Sequence, residues 1–96
     1  MQDKSAEVGM TVRVTGRVQG VAYRAWLCDR AQASQVRGWV RNESDGTVSA
    51  LLVGAENAVT ALIAEMERGP GAAEVAEVLA EPAEIFEPQT GFNVVQ

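Results

Sequence analysis

The chain has 96 residues, enough for one domain with one modest core. It is 47% apolar and 22% charged, carries a net charge of −5, and contains one cysteine and no histidine. That composition excludes an intrachain disulfide, a structural zinc site built on His and Cys, and every catalytic pair that uses histidine as its base. No apolar run approaches the roughly 18 residues that span a bilayer. The N-terminal "MQDKSAEVGM" lacks the apolar stretch of a secretory leader. The expected setting is cytoplasmic, away from membranes. The charge is uneven. Six arginines between Arg13 and Arg41 face one acid, Asp29, whereas from Asn42 onward ten acids face Arg68 alone. An acidic chain repels the phosphodiester backbone, so nucleic acid is not an expected partner. The local arginine excess suits a small anion.

Residues 1–7 read as a disordered tail and 8–96 as the domain. "VGMTVRVTG" alternates, with Met10, Val12 and Val14 on one side and Thr11, Arg13 and Thr15 on the other, and predicts a half-buried strand from Val8 to Gly16. The loop "GRVQGVAYR" follows. Tyr23, Trp26, Leu27 and Ala31 then fall on one helix face, with the helix ending near Ser34. Cys28 sits at helical spacing inside it and reads as a structural thiol. "VRGWVRN" predicts a second strand, Val36 to Asn42. The Asp45–Gly46 pair predicts a hairpin turn into a third strand from Thr47 to Gly54.

A second helix is predicted from Ala55 to Arg68. Val59, Leu62, Ile63 and Met66 form its apolar stripe, Glu56 and Arg68 suit its dipole, and Gly69–Pro70 stops it. "AAEVAEVLAEPAE" has helical propensity and poor alternation. The element order overrules that propensity, because the second crossover must return to the sheet beside the first strand. Phe92 and Val94 read as one face of a short terminal strand. The order β-α-β-β-α, with one or two more strands to follow, predicts an α+β fold: a ferredoxin-like split β-α-β sandwich, an antiparallel sheet of four to five strands with two helices on one face.

The loop between the first strand and helix is the candidate site. Gly16 and Gly20 permit conformations that side chains would block, and successive amides there can form an anion-binding nest. The loop runs into a helix N-terminus, where free N–H groups and the dipole also favour an anion. Arg24 lies in the first helical turn, an unfavourable place for a cation unless an anion is bound. Physical chemistry alone leaves two readings open, a phosphoryl cradle or a plain glycine turn with a surface arginine. Asn42, before "ESDG", can likewise be simple turn chemistry. Glu43 and Asp45 read as a solvated hairpin, Trp26 and Trp39 as packing residues, and Gln19 as a brace for the loop.

"GRVQGVAYR" together with "GWVRNESDGTVSALLVG" resembles the acylphosphatase family, whose loop reads G-x-V-Q-G-V-x-F-R and whose second block reads G-W-V-x-N-x-x-x-G-x-V. Gly69–Pro70 and the terminal aromatic–x–aliphatic strand also fit. Tyr23 stands where phenylalanine is usual, and its hydroxyl needs a partner. The resemblance implies hydrolysis of an acyl phosphate to a carboxylate and inorganic phosphate, with no cofactor and no metal; a monomer is the expected state. It implies that the backbone of Arg17, Val18, Gln19, Gly20, Val21, Ala22 and Tyr23 cradles the phosphoryl oxygens. It assigns Arg24 as the cation that holds two of them and Asn42 as the group that orients the attacking water. Two alternatives share the fold: an RNA-recognition domain, which needs exposed aromatics and a basic face, and a regulatory anion- or carbamoyl-phosphate-binding domain.

Overall fold

The computed structural model describes residues 7–84 and 89–95. These form β1 (Glu7–Arg17), α1 (Tyr23–Ala33), β2 (Arg37–Asn42), β3 (Val48–Ala55), α2 (Glu56–Arg68), β4 (Glu74–Pro82) and β5 (Phe92–Val94). Residues 1–6 of the expected tail lie outside the described residues, and Glu7 opens β1. The element order is the expected one, and the strands make a single sheet in the order β4-β1-β3-β2-β5.

β1 runs antiparallel to β3 and β4, and β2 antiparallel to β3. β5 departs from the expected pattern: it pairs parallel to β2, so the sheet is mixed. The connection after Pro82 explains this. β5 starts from the end of the sheet at which β4 finishes, so it runs opposite to β4, and that is the direction of β2.

The alternation in β1 decides where the core lies. Val12 faces Ala50 of β3, which faces Val40 of β2, and all three are buried. Tyr23, Leu27 and Ala31 of α1 and Val59, Leu62 and Met66 of α2 join the same cluster, so both helices cover one face. Burying each large aliphatic side chain contributes about 1.5–3 kcal/mol. The opposite face carries Thr11, Arg13, Trp39, Arg41, Ser49 and Leu79, and no helix of the described residues covers it.

The helix ends follow local chemistry. Gln35 is left-handed (φ 61°) after the Ser34 cap, and the Val36 N–H reaches back to the Ala31 carbonyl at 2.8 Å, which closes α1 in a Schellman arrangement. α2 has Glu56 in its first turn, Arg68 in its last and Gly69 as its cap.

β4 shows why its sequence alternates poorly. Thr15 pairs with Glu77 and Gly16 with Val75, so Ala76 is an extra residue in a bulge. The bulge shifts the parity, and both Val75 and Val78 pack against the core. Leu79 lands on the helix-free face. Phe92 and Val94 share one face, as expected, opposite Gly38 and Val40. Phe92 is buried, but Val94 is 43% exposed at the outer edge. α1 reaches β5 at Phe92, whose carbonyl accepts from Cys28 Sγ (3.3 Å) and Gln32 Nε2 (3.4 Å).

Candidate active site

Sheet register brings the two sequence blocks to one end of the molecule. Val14 faces Val48, and Val48 faces Asn42, in one row across β1, β3 and β2. Val14 and Val48 are buried, so Asn42 stands on the helix-bearing face. β1 ends three residues beyond that row, at Arg17, and its loop leads directly into α1.

Within the loop, the backbone alternates. Gly20 (φ 75°) and Ala22 (φ 64°) are left-handed, while Gln19, Val21 and Tyr23 are not. Alternation of this kind turns successive N–H groups to one side and makes an anion-binding concavity. Ala22 pays for this with a conformation few side chains accept, the kind of strain that gathers at functional sites. Ala22 also precedes α1, which has no side-chain cap and no acid in its first turn. Val18 is buried and Val21 packs against the core, so the loop is anchored on both sides of Gly20.

Both loop glycines have positive φ, and Gly20 is otherwise open to solvent. Gly16 (φ 115°) also lacks space, since a Cβ there would lie 2.3 Å from the Glu74 carbonyl oxygen and 2.6 Å from the Ala76 nitrogen. Backbone atoms at the β4 bulge cannot move aside cheaply. Gly16→Ala is expected to lower stability by about 1–3 kcal/mol, read as a lower urea midpoint at unchanged slope. An unchanged midpoint would mean that β4 is not held against the loop in this way.

Tyr23 finds the partner its hydroxyl requires. The Tyr23 O–H donates to the Met66 carbonyl at 2.8 Å, in the last turn of α2, and burial pushes the phenol's pKa upward. The bond satisfies one of the carbonyls that a helix end leaves open. The Tyr23 ring packs on Trp26 at 5.3 Å between centroids. Trp39 lies under the Arg41 guanidinium, 4.9 Å from the ring centre. Both tryptophans therefore pack, as expected.

Gln19 braces the loop. Its Nε2 donates to the carbonyls of Glu43 (2.8 Å) and Thr47 (2.9 Å), which ties the loop to the β2–β3 hairpin that follows Asn42. Sequence reasoning anticipated a brace but not its target, because nothing in the spacing of Gln19 and Glu43 indicates their contact.

The charges are sorted. Arg13 pairs with Asp45, Arg30 with Glu65, Arg37 with Glu7 and Arg41 with Glu43. Arg24 and Arg17 have no ion pair or side-chain hydrogen bond among the described residues. Arg24 is half-buried in the first turn of α1, and Arg17 is exposed at the end of β1. Asn42 Oδ1 is buried and has no hydrogen-bond partner among the described residues. Cys28 is half-buried, and burial followed by the charge of Asp29 pushes its thiol pKa upward, which makes it a weak nucleophile. Among the described residues, no three His, Cys, Asp or Glu side chains gather where they could hold a metal ion. Glu43 and Asp45 lie on the expected exposed hairpin, and each has partners there. Glu43 accepts from Arg41 Nε at 2.8 Å, and Asp45 Oδ1 accepts from the Thr47 N–H at 3.0 Å and its hydroxyl at 2.6 Å.

The arrangement can hold a small tetrahedral anion between backbone amides and one arginine, with a polar amide nearby. Known proteins resemble the chain as a whole. A family model described as Acylphosphatase matches residues 10–94. An acylphosphatase from Rhodopseudomonas palustris is 51% identical over 79 residues, which cover 82% of this chain and 80% of that protein. The structure of an acylphosphatase from Coxiella burnetii superposes with a TM-score of 0.88 at 32% identity, over 93% of each chain. A full-length HypF structure in its phosphate- and nucleotide-bound form matches with a TM-score of 0.86 at 21% identity, over all of this chain and 13% of that one, a likeness of fold alone.

Proposed function

The chain belongs to the acylphosphatase family and is an enzyme that hydrolyses acyl phosphates, and from this premise we propose which of its residues do the work. The backbone amides of Arg17 to Tyr23 receive the phosphoryl oxygens. Arg24 engages two of them through its planar fork and offsets the charge that develops on the transferring group. Asn42 orients the attacking water in line with the leaving carboxylate.

This sparse equipment suits the reaction. A carboxylate leaves readily, so little acid assistance is needed. Phosphoryl transfer chiefly requires positioning and charge stabilisation. An asparagine amide is a poor base but can hold a water, and the substrate's own phosphoryl group takes up the proton. The observation that carries the reading is Asn42 Oδ1. A buried oxygen without a partner costs about 1–3 kcal/mol, and the attacking water, held as the transition state forms, would offset that cost.

We further propose that the protein works as a monomer in the cytoplasm without nucleic acid or membrane partners. Its net charge of −5 and its one free thiol support this. No helix among the described residues is long and apolar enough to cross a membrane.

Release of phosphate from benzoyl phosphate tests the activity directly. Turnover should persist in EDTA and after thiol alkylation, because no residue in the proposed machinery is a metal ligand or a thiol. Loss of activity in EDTA, restored by a divalent cation, would overturn the mechanism. Loss on alkylation under conditions that leave the protein folded would bring Cys28 back into it.

A further inference from the structure

Asn42 makes no side-chain hydrogen bond among the described residues. Apart from packing, its amide is therefore aimed through its backbone. On one side that backbone is fixed by pairing with Val48. On the other it is fixed by whatever holds residue 43, and residue 43 is held unusually well. The Glu43 N–H donates to the Thr47 carbonyl at 2.8 Å, and its own carbonyl accepts from Gln19 Nε2 at 2.8 Å and the Gly46 N–H at 3.2 Å. The side chain is held on the helix-free face, in a concavity of about 560 Å³ between β4, β1, β3 and β2. There Arg41 donates to Glu43 Oε2 from Nε while its guanidinium stacks on Trp39. Arg41, then Ser49, and at longer range Arg13, hold the Glu43 carboxyl below the usual carboxylate range. Ser49 lies between Arg13 and Arg41 in one row of the sheet.

We propose that Glu43 is the positioning residue for Asn42: its carboxylate, held by Arg41 on the helix-free face, locks the backbone that aims the Asn42 amide into the cradle. This rests on the assignment of Asn42 to the attacking water. Glu43 touches no reacting atom. It acts through its neighbour, and Gln19 ties the same residue to the phosphate loop, so the cradle and the water site keep a constant separation.

The test is a double-mutant cycle on benzoyl phosphate turnover. Glu43→Leu should lower kcat roughly 10- to 100-fold, the scale of a misplacement of about 1 Å. KM and the inhibition constant for phosphate should stay within about twofold, because ground-state binding is untouched. Glu43→Gln keeps an acceptor for Arg41 and should fall between wild type and Glu43→Leu. In a chain already carrying Asn42→Ala, either substitution should lower kcat by less than about twofold, because the residue it acts through is gone. A urea midpoint confirms folding, and if Glu43→Leu unfolds, the cycle is run with Glu43→Gln. Wild-type kcat in both variants would overturn the proposal. So would the same loss of kcat with and without Asn42, or a loss confined to KM. If Asn42→Ala alone turns over normally, the water assignment fails and this inference falls with it. If Asn42→Ala is slow while the Glu43 variants are not, only this inference falls.

Discussion

Arg24→Lys is expected to lower kcat for benzoyl phosphate by about 100- to 1000-fold while leaving the urea midpoint close to wild type. The two side chains carry the same charge, so any difference measures geometry. Arginine presents a rigid planar fork to two phosphoryl oxygens, and lysine presents one compact ammonium on a flexible stem. The surroundings of Arg24 sharpen the comparison. It is half-buried at the N-terminal end of α1, where the helix dipole opposes a cation by up to about 1 kcal/mol. It has no carboxylate partner among the described residues, whereas Arg13, Arg30, Arg37 and Arg41 all do. Lysine meets the same dipole, so folding should hardly change. Wild-type turnover in a folded Arg24→Lys would remove Arg24 from its proposed role.

Asn42→Ala is expected to lower kcat about 100- to 1000-fold, equivalent to about 2.7–4 kcal/mol of transition-state stabilisation. The loss should fall on kcat rather than on affinity, since the contact is made chiefly in the transition state. Stability should move the other way or not at all. Asn42 Oδ1 is buried without a partner, so alanine removes a desolvated polar atom and breaks no hydrogen bond of the described residues. A urea midpoint equal to or above wild type, combined with a large loss of kcat, is the pattern of a residue kept for function at the expense of stability. A midpoint well below wild type would mean that Asn42 is a support of the hairpin instead.

Much of the fold was legible because local signals agreed. The stripe and caps of α2, the Asp45–Gly46 turn and the alternation in β1 each point to a single element, and the element order then selects the sheet. β4 was legible only from topology, because the extra residue Ala76 hides its alternation and no composition signal marks a bulge. The direction of β5 depends on where the preceding connection begins, which pairwise patterns do not encode. The loop and Arg24 stand out as chemistry in the sequence, but their reading as a cradle rather than a plain turn came from resemblance to a family. The contacts that organise the site were hidden for a common reason. Gln19 with Glu43 and Tyr23 with Met66 join separate elements, and their meeting depends on register rather than on spacing.

The central claim is a division of labour, with the loop and Arg24 holding the phosphoryl group and Asn42 holding the water. Competitive inhibition by inorganic phosphate, measured side by side on wild type, Arg24→Ala and Asn42→Ala, tests it most directly. The account predicts that Asn42→Ala keeps the wild-type inhibition constant within about twofold, because no ground-state contact is lost. It predicts that Arg24→Ala weakens inhibition by about tenfold or more, as expected for loss of a charge-assisted hydrogen bond worth roughly 1.5–3 kcal/mol. Equal weakening in both variants, or undiminished inhibition of Arg24→Ala, would contradict it.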